Sequence, residues 1–271
     1  MMTKLTAITG VVLAMGVSLS VNADTKTDDN YQSVLAEQYT MALDYVQNSA
    51  EVKALYHQVF NMAQYQFDKA EPKNGLKKAV IVDIDETMLD NSPYTGWQVM
   101  NQTSFSGKTW DKWNEARSAE ATPGSVAFTH YINEHGGKIF YVSNRSNKLL
   151  NATTDNMKAL GFSGVSDNTV LLKTTTTVKG ERFQHIKDMG YDVVAYIGDN
   201  INDFTDFGHG KTNTERSKFV ERNADKFGMK FFILPNPLYG GWEGGLGENY
   251  FKANDVKYKA RRDNIHAWDG K

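Results

Sequence analysis

Four short runs of this chain carry side chains that can do chemistry together: Asp83-Ile84-Asp85-Glu86-Thr87, Ser143-Asn144-Arg145, Lys179, and Gly198-Asp199-Asn200-Ile201-Asn202-Asp203-Phe204. In an extended or tightly turning segment residues i and i+2 point the same way, so Asp83 and Asp85 can face one ligand. One carboxylate of such a pair can attack phosphorus and hold the phosphoryl group as an aspartyl-phosphate. The other can protonate the departing alkoxide and then activate the water that hydrolyses the intermediate. Ser143 and Asn144, with main-chain N–H groups at a strand end, suit phosphate oxygens. Lys179 would offset charge on the transferring oxygens and on the carboxylates, with Lys173 and Lys211 as rivals for that role. Asp199 and Asp203 offer the hard oxygen donors that magnesium takes. Asp199 would join Asp83 as a direct ligand, and Asp203 would act through water or by orienting Lys179. Singly, each run has a plain alternative as a turn, a helix N-cap or a solvated lysine.

The elements that must position these groups are written beside them. Lys78 to Val82 is a short apolar run ending in Asp83, the pattern of a buried parallel strand whose C-terminal end delivers a functional group. Four similar runs follow: Lys138 to Val142 before Ser143, Val170 to Leu172 near Lys173, Val193 to Ile197 before Gly198-Asp199, and Phe231 to Leu234 before Pro235. Helical segments fall between them. Thr122-Pro123-Gly124 reads as an N-cap with proline at the first helical position, and helices near 149–160 and 179–189 stop at Gly161 and Gly190. Strands alternating with helices predict an α/β fold: a Rossmann-like, mainly parallel sheet with helices on both faces. Upstream, residues 31–69 have helical spacing with a break at Asn48-Ser49, Ser49 capping a second helix. These two helices bring no chemistry of their own and pack on the core or cap. Residues 92–121 are too long for a crossover loop and rich in large rings, and predict a small helical cap over the sheet's C-terminal edge. Tyr94, Trp97 and Trp113, with Tyr239 after the last strand, are placed to sandwich a planar group, a contact worth about 1–3 kcal/mol per stacked base.

Composition excludes several other classes. With 271 residues the chain is long enough for one sizeable core. A net charge of -2 carries no basic footprint, so no nucleic-acid polymer is expected as partner. The chain has 0 cysteines, which removes disulfides, thiolate zinc sites, a cysteine nucleophile and a lipid-anchoring cysteine. The histidines lack zinc-ligand spacing. Lys4, an apolar run to Val21, and Val21-Asn22-Ala23 read as a cleaved signal peptide over residues 1–23, which implies a periplasmic or secreted protein without a lipid anchor.

Order decides among the readings. A strand ends in D-x-D-x-T, a later one in Ser, a Lys follows, and another strand ends in G-D-x-x-x-D. This resembles the haloacid dehalogenase superfamily and, more narrowly, the bacterial class C acid phosphatases, the four-aspartate phosphohydrolases. Residues 81–94 and 196–204 carry the narrower likeness, together with Ser143-Asn144-Arg145 and Lys179-Gly180-Glu181-Arg182. The resemblance implies Asp83 as nucleophile and Mg2+ ligand, and Asp85 as acid/base with its main-chain carbonyl on the metal. It implies Asp199 as the third protein ligand, Asp203 completing the four aspartates, and Ser143 and Lys179 on the phosphate. The layout is then N-terminal helices over 24–75 and a haloacid dehalogenase-like domain over 76–271, acting on small phosphomonoesters such as nucleoside monophosphates or aryl phosphates. Two other activities compete: a phosphotransferase passing the phosphoryl group to an alcohol, and an exported protein that captures phosphate compounds without turnover. Asp85 argues against the second, since capture needs no proton donor.

Overall fold

The computed structural model describes residues 28–271; the expected signal segment, residues 1–23, lies outside them. Three helices come first: α1 (Asp28–Glu37), α2 (Thr40–Asn48) and α3 (Ala50–Lys69). The expected break stands between α2 and α3, where the Ser49 side chain accepts from Val52 N at 3.2 Å. Then follow β1 (Lys77–Val82), β2 (Leu89–Asp90), α4 (Ser92–Met100), α5 (Gly107–Ala116) and β3 (Glu120–Ala121). Next are α6 (Ser125–Glu134), β4 (Lys138–Ser146), α7 (Leu150–Ala159), β5 (Val170–Lys173), α8 (Gly180–Asp188) and β6 (Tyr191–Gly198). The chain closes with α9 (Asn213–Arg222), β7 (Phe231–Ile233), α10 (Gly241–Gly244) and α11 (Asn254–Asp263).

The five apolar runs form one parallel sheet in the order β5-β4-β1-β6-β7. Its central strands are apolar on both faces because both faces are covered. Val80 and Val82 of β1, with Ile139 and Tyr141 of β4, pack into a core completed by α3, α6 and α7. Ala79 and Ile81, with Phe140 and Val142, point the other way onto Phe183 and Ile186 of α8. Phe60, Ala63 and Phe67 of α3 are buried in the first core, so this upstream helix is a layer of the same fold.

A two-stranded antiparallel ribbon, Leu89 opposite Ala121, closes the neck of the cap, and α4 and α5 form the cap itself. One helix start differs from the sequence reading. α6 begins at Ser125 with Gly124 as its N-cap at φ +82°, and Thr122 does not cap it. The Thr122 hydroxyl instead donates to the Thr87 carbonyl at 2.6 Å, tying the base of the cap to the turn after β1. Among the described residues no helix is long and apolar enough to cross a membrane.

Candidate active site

Asp83 leaves the C-terminal end of β1 at 7% exposure, and the chain then turns sharply. Glu86 adopts φ +54°, a left-handed conformation unfavourable for a residue with a Cβ, so the turn needs external ties. It has them: Leu89 N donates to Ile84 O and Glu86 N to Leu89 O, both at 2.8 Å. The Tyr56 hydroxyl of α3 donates to the Glu86 carbonyl at 2.5 Å, and Asn91 N donates to Glu86 Oε1 at 2.8 Å. Burial, reinforced by Asp85 and Asp199, pushes the Glu86 carboxyl well above its ordinary range.

Lys179 sits directly before α8, 2% exposed. Its ammonium group contacts Asp83 Oδ1, pairs with Asp203 Oδ1 at 2.7 Å and donates to the Val142 carbonyl at 2.6 Å. Asp203 Oδ2 accepts from Asn200 N at 2.8 Å, and Asp199 Oδ2 accepts from Asn236 Nδ2 at 2.7 Å. Asp83, Asp199 and Asp203 bring one carboxylate oxygen each within 4.8 Å of one another. Three clustered carboxylates thus face one ammonium group, which contacts two of them, and the excess negative charge shows in the proton equilibria. Burial pushes Asp83 up to about 7; Lys179 opposes the shift, while Asp203 and Asp85 add to it. Asp199 is raised well above its ordinary value by burial, then by Asp203 and Asp83. Burial works against the charge of Lys179, but Asp203 and Asp83 outweigh it and hold the lysine pKa above the ordinary value. An under-compensated cluster of hard oxygen donors fits a divalent cation, whose own charge would bring it toward neutrality.

Asp85 stands apart from this cluster. Its Oδ1 accepts from Arg145 Nε at 2.8 Å and Asn91 Nδ2 at 2.9 Å and pairs ionically with Arg145 Nη2 at 2.7 Å, and its Oδ2 accepts from Ser143 Oγ at 3.2 Å. Ser143 and Arg145 are i and i+2 on β4, so both reach Asp85. Ser143 is fully buried with its hydroxyl on Asp85. Asn144 Oδ1 accepts from Arg182 Nη2 at 2.7 Å, and Arg182 Nη1 donates to the Ser143 carbonyl at 2.6 Å.

Above these groups lies a cavity of about 660 Å³. Asp83, Asp85, Asn144, Arg145, Lys179, Asp199 and Asp203 line it; Tyr94, Phe105 and Trp110 come from the cap, and Leu238 and Tyr239 from the segment after β7. Of the four rings the sequence put against substrate, Tyr94 and Tyr239 are in its wall and Trp97 and Trp113 are not. Trp97 stacks on Tyr94 at 6.0 Å with its own ring 42% exposed, and Trp113 turns its indole N–H to Asn91 Oδ1 at 2.8 Å.

The sequence reading missed three contributions. Arg145 and Asn91 both hold Asp85, and the i, i+2 relation of Arg145 to Ser143 was the available signal for the first. The third is the upstream helices: Leu35, Ala36 and Tyr39 line the cavity. Arg261 of α11 donates to the Tyr39 hydroxyl at 2.9 Å and to Glu243 Oε1 at 2.9 Å, fastening that wall. No local pattern marks this contact, because the partners lie at opposite ends of the chain.

Comparisons with known proteins bear on the family and the fold. The family model for HAD superfamily, subfamily IIIB (Acid phosphatase), matches residues 2–242. The fold is similar to that of the class C acid phosphatase from Bacillus anthracis, with a TM-score of 0.82 and 37% identity over 87% of this chain and 99% of that one. A tungstate-bound structure of that protein matches with a TM-score of 0.80 and 36% identity, again over 87% of this chain and 99% of the other. Acid phosphatase 1 of Solanum lycopersicum is 29% identical over 167 residues, covering 59% of this chain. The chain spans 57% of that curated relative's length.

Proposed function

We propose that this chain, which belongs to subfamily IIIB of the HAD superfamily, the acid phosphatases, hydrolyses phosphomonoesters through an aspartyl-phosphate on Asp83. The observation that most supports this is the division of labour among the carboxyl groups. Asp83 is buried at the cavity floor on the Lys179 ammonium, while Asp85, two residues on, is held separately by Arg145, Asn91 and Ser143.

In the first step an Asp83 carboxylate oxygen attacks phosphorus, the ester P–O bond breaks, and Asp85 gives its proton to the departing oxygen, releasing an alcohol. Asp85, now a carboxylate, takes a proton from water as the water oxygen attacks phosphorus. The acyl–phosphate bond breaks, and inorganic phosphate leaves with Asp83 regenerated. Lys179 holds Asp83 in place and offsets charge on the phosphoryl oxygens, and Asn144 stands in the wall where those oxygens arrive. Asp203, its oxygens engaged by Lys179 and Asn200 N, orients the lysine. Asp83 and Asp199, with the Asp85 carbonyl, would hold Mg2+ with Asp203 nearby; when bound it neutralises charge on the nucleophile and the phosphate.

Tyr94, Phe105, Trp110 and Tyr239 give the cavity aromatic walls, which favour nucleoside monophosphates and aryl phosphates over small alkyl esters. Export belongs to the same reading, supported by the charge and apolarity of residues 4–23; sequencing the N-terminus of protein recovered outside the cytoplasm checks it.

The deciding experiment is p-nitrophenyl phosphate hydrolysis at mildly acidic pH with magnesium, with chelator, and with Asp83→Asn. Turnover that disappears in both controls supports the aspartyl-phosphate route. A folded, magnesium-loaded protein that turns over neither this ester nor a panel of nucleotides sinks it. Tungstate, a tetrahedral oxyanion like phosphate, should compete with substrate.

A further inference from the structure

We propose that Trp113, on cap helix α5, is a positioning residue for proton transfer: with Arg145 its indole N–H sets the amide orientation of Asn91, and Asn91, beside Arg145, thereby completes the set of donors that decides which oxygen of Asp85 carries the proton. This rests on the acid/base reading of Asp85.

An indole N–H is a donor only, and so is a guanidinium. Trp113 Nε1 meets Asn91 Oδ1 at 2.8 Å, and Arg145 Nη2 meets the same oxygen at 3.2 Å. Asn91 is 2% exposed, so solvent is not at hand to accept a reversed amide. A flipped amide would turn N–H groups onto two donors and its oxygen onto the Asp85 carboxylate. Two donors converging on one atom therefore identify that atom as oxygen and commit Nδ2 to Asp85 Oδ1, at 2.9 Å.

The consequence reaches the chemistry. Asp85 Oδ1 accepts two N–H hydrogen bonds, one from Arg145 Nε and one from Asn91 Nδ2, which occupy both of its lone pairs and leave none to bind a proton. Oδ2 has one neighbour, the Ser143 hydroxyl at 3.2 Å, which can accept as readily as donate. The proton bound for the leaving group therefore resides on Oδ2. The cap thus does more than roof the cavity: its seating, transmitted through one N–H, holds the acid in a single protonation geometry.

The test is Trp113→Phe, which keeps an aromatic ring against the core and removes the donor. The readout is kcat/KM across esters of graded leaving-group quality, from p-nitrophenyl phosphate to a simple alkyl phosphate. A good leaving group departs with little help, whereas an alkoxide needs the proton. We expect the alkyl ester to lose about 10- to 100-fold and p-nitrophenyl phosphate about threefold, a fraction of what a complete general acid supplies. Equal losses for all esters would overturn the proposal. Asp85→Asn is the control. If it shows no leaving-group dependence the acid/base reading itself fails; if it shows a steep one while Trp113→Phe does not, only the relay through Asn91 fails. In Trp113→Phe/Asp85→Asn the loss from the tryptophan change should vanish. If thermal unfolding shows that Trp113→Phe does not fold, Asn91→Ala, which keeps the main-chain N–H on Glu86, must show the same slope, and a flat slope there overturns the proposal.

Discussion

Replacing Lys179 by methionine removes one charge and little volume, and the structure sets the size of the effect. The ammonium group is 2% exposed and is the only cation in direct contact with Asp83 or Asp203 among the described residues. Deleting one partner of a buried pair strands the other, at a cost of about 3–5 kcal/mol. For a chain of this size that lowers the melting temperature by about 6–20 °C. The dependence on pH has a definite sign. Asp83 is raised to about 7 with Lys179 present and opposing the shift; without the lysine it rises further. At about pH 5 Asp83 is protonated in both folded proteins, so its share of the penalty is small and only that from stranding Asp203 remains, and the Asp83 share grows as pH climbs to about 8, where the parent ionises against its lysine and the variant cannot. Magnesium restores part of the loss, because a dication in the cluster offsets the same excess. The assay is thermal and urea unfolding of parent and variant in chelator and in magnesium at both pH values. A variant as stable as the parent in chelator at about pH 8, or one whose deficit shrinks as pH rises, would refute the charge argument.

Asp83→Asn in chelator should gain stability relative to the parent as pH rises from about 4 to about 7. The unfolded chain releases the Asp83 proton near the ordinary 3.8 and the folded one near 7, so parent stability falls across that window by at most about 1.4 kcal/mol per pH unit; urea titrations of both proteins measure it. Gly198→Ala should cost about 1–3 kcal/mol and most of the turnover, because the new methyl would collide with the Asp203 side chain, Cβ included, with no flexible end to give way; unfolding curves and p-nitrophenyl phosphate kinetics test both halves. Trp110→Ala or Tyr239→Ala should lower kcat/KM for nucleoside monophosphates about 5- to 100-fold relative to a small alkyl phosphate, the worth of one stacked base. An unchanged ratio would remove these rings from substrate recognition.

The five strands were legible because a buried parallel strand is a local pattern: an apolar run of a few residues, then a polar group at its C-terminal end. Asp83, Ser143 and Asp199 occupy such ends, and their common placement at one sheet edge follows from the strands being parallel. The segment between β1 and β4 was legible as an aromatic-rich insertion too long for a crossover, and it carries α4 and α5. What each of its rings faces was not, since that depends on how α4 and α5 rotate onto the sheet. Trp113 therefore proves to be a hydrogen-bond donor to Asn91, and Trp97 a ring stacked outside the cavity. The start of α6 moved for a similar reason: a threonine hydroxyl that could cap a helix found a carbonyl of the turn after β1 instead. Arg145 on Asp85, and Tyr39 in the cavity wall under Arg261, join residues 60 and 222 positions apart. The sequence alone determined which groups arrive at the edge of the sheet. Only the packing of distant segments decided which of them share a charge, which hold one another in register, and which close the cavity, because those are long-range contacts that no local periodicity records.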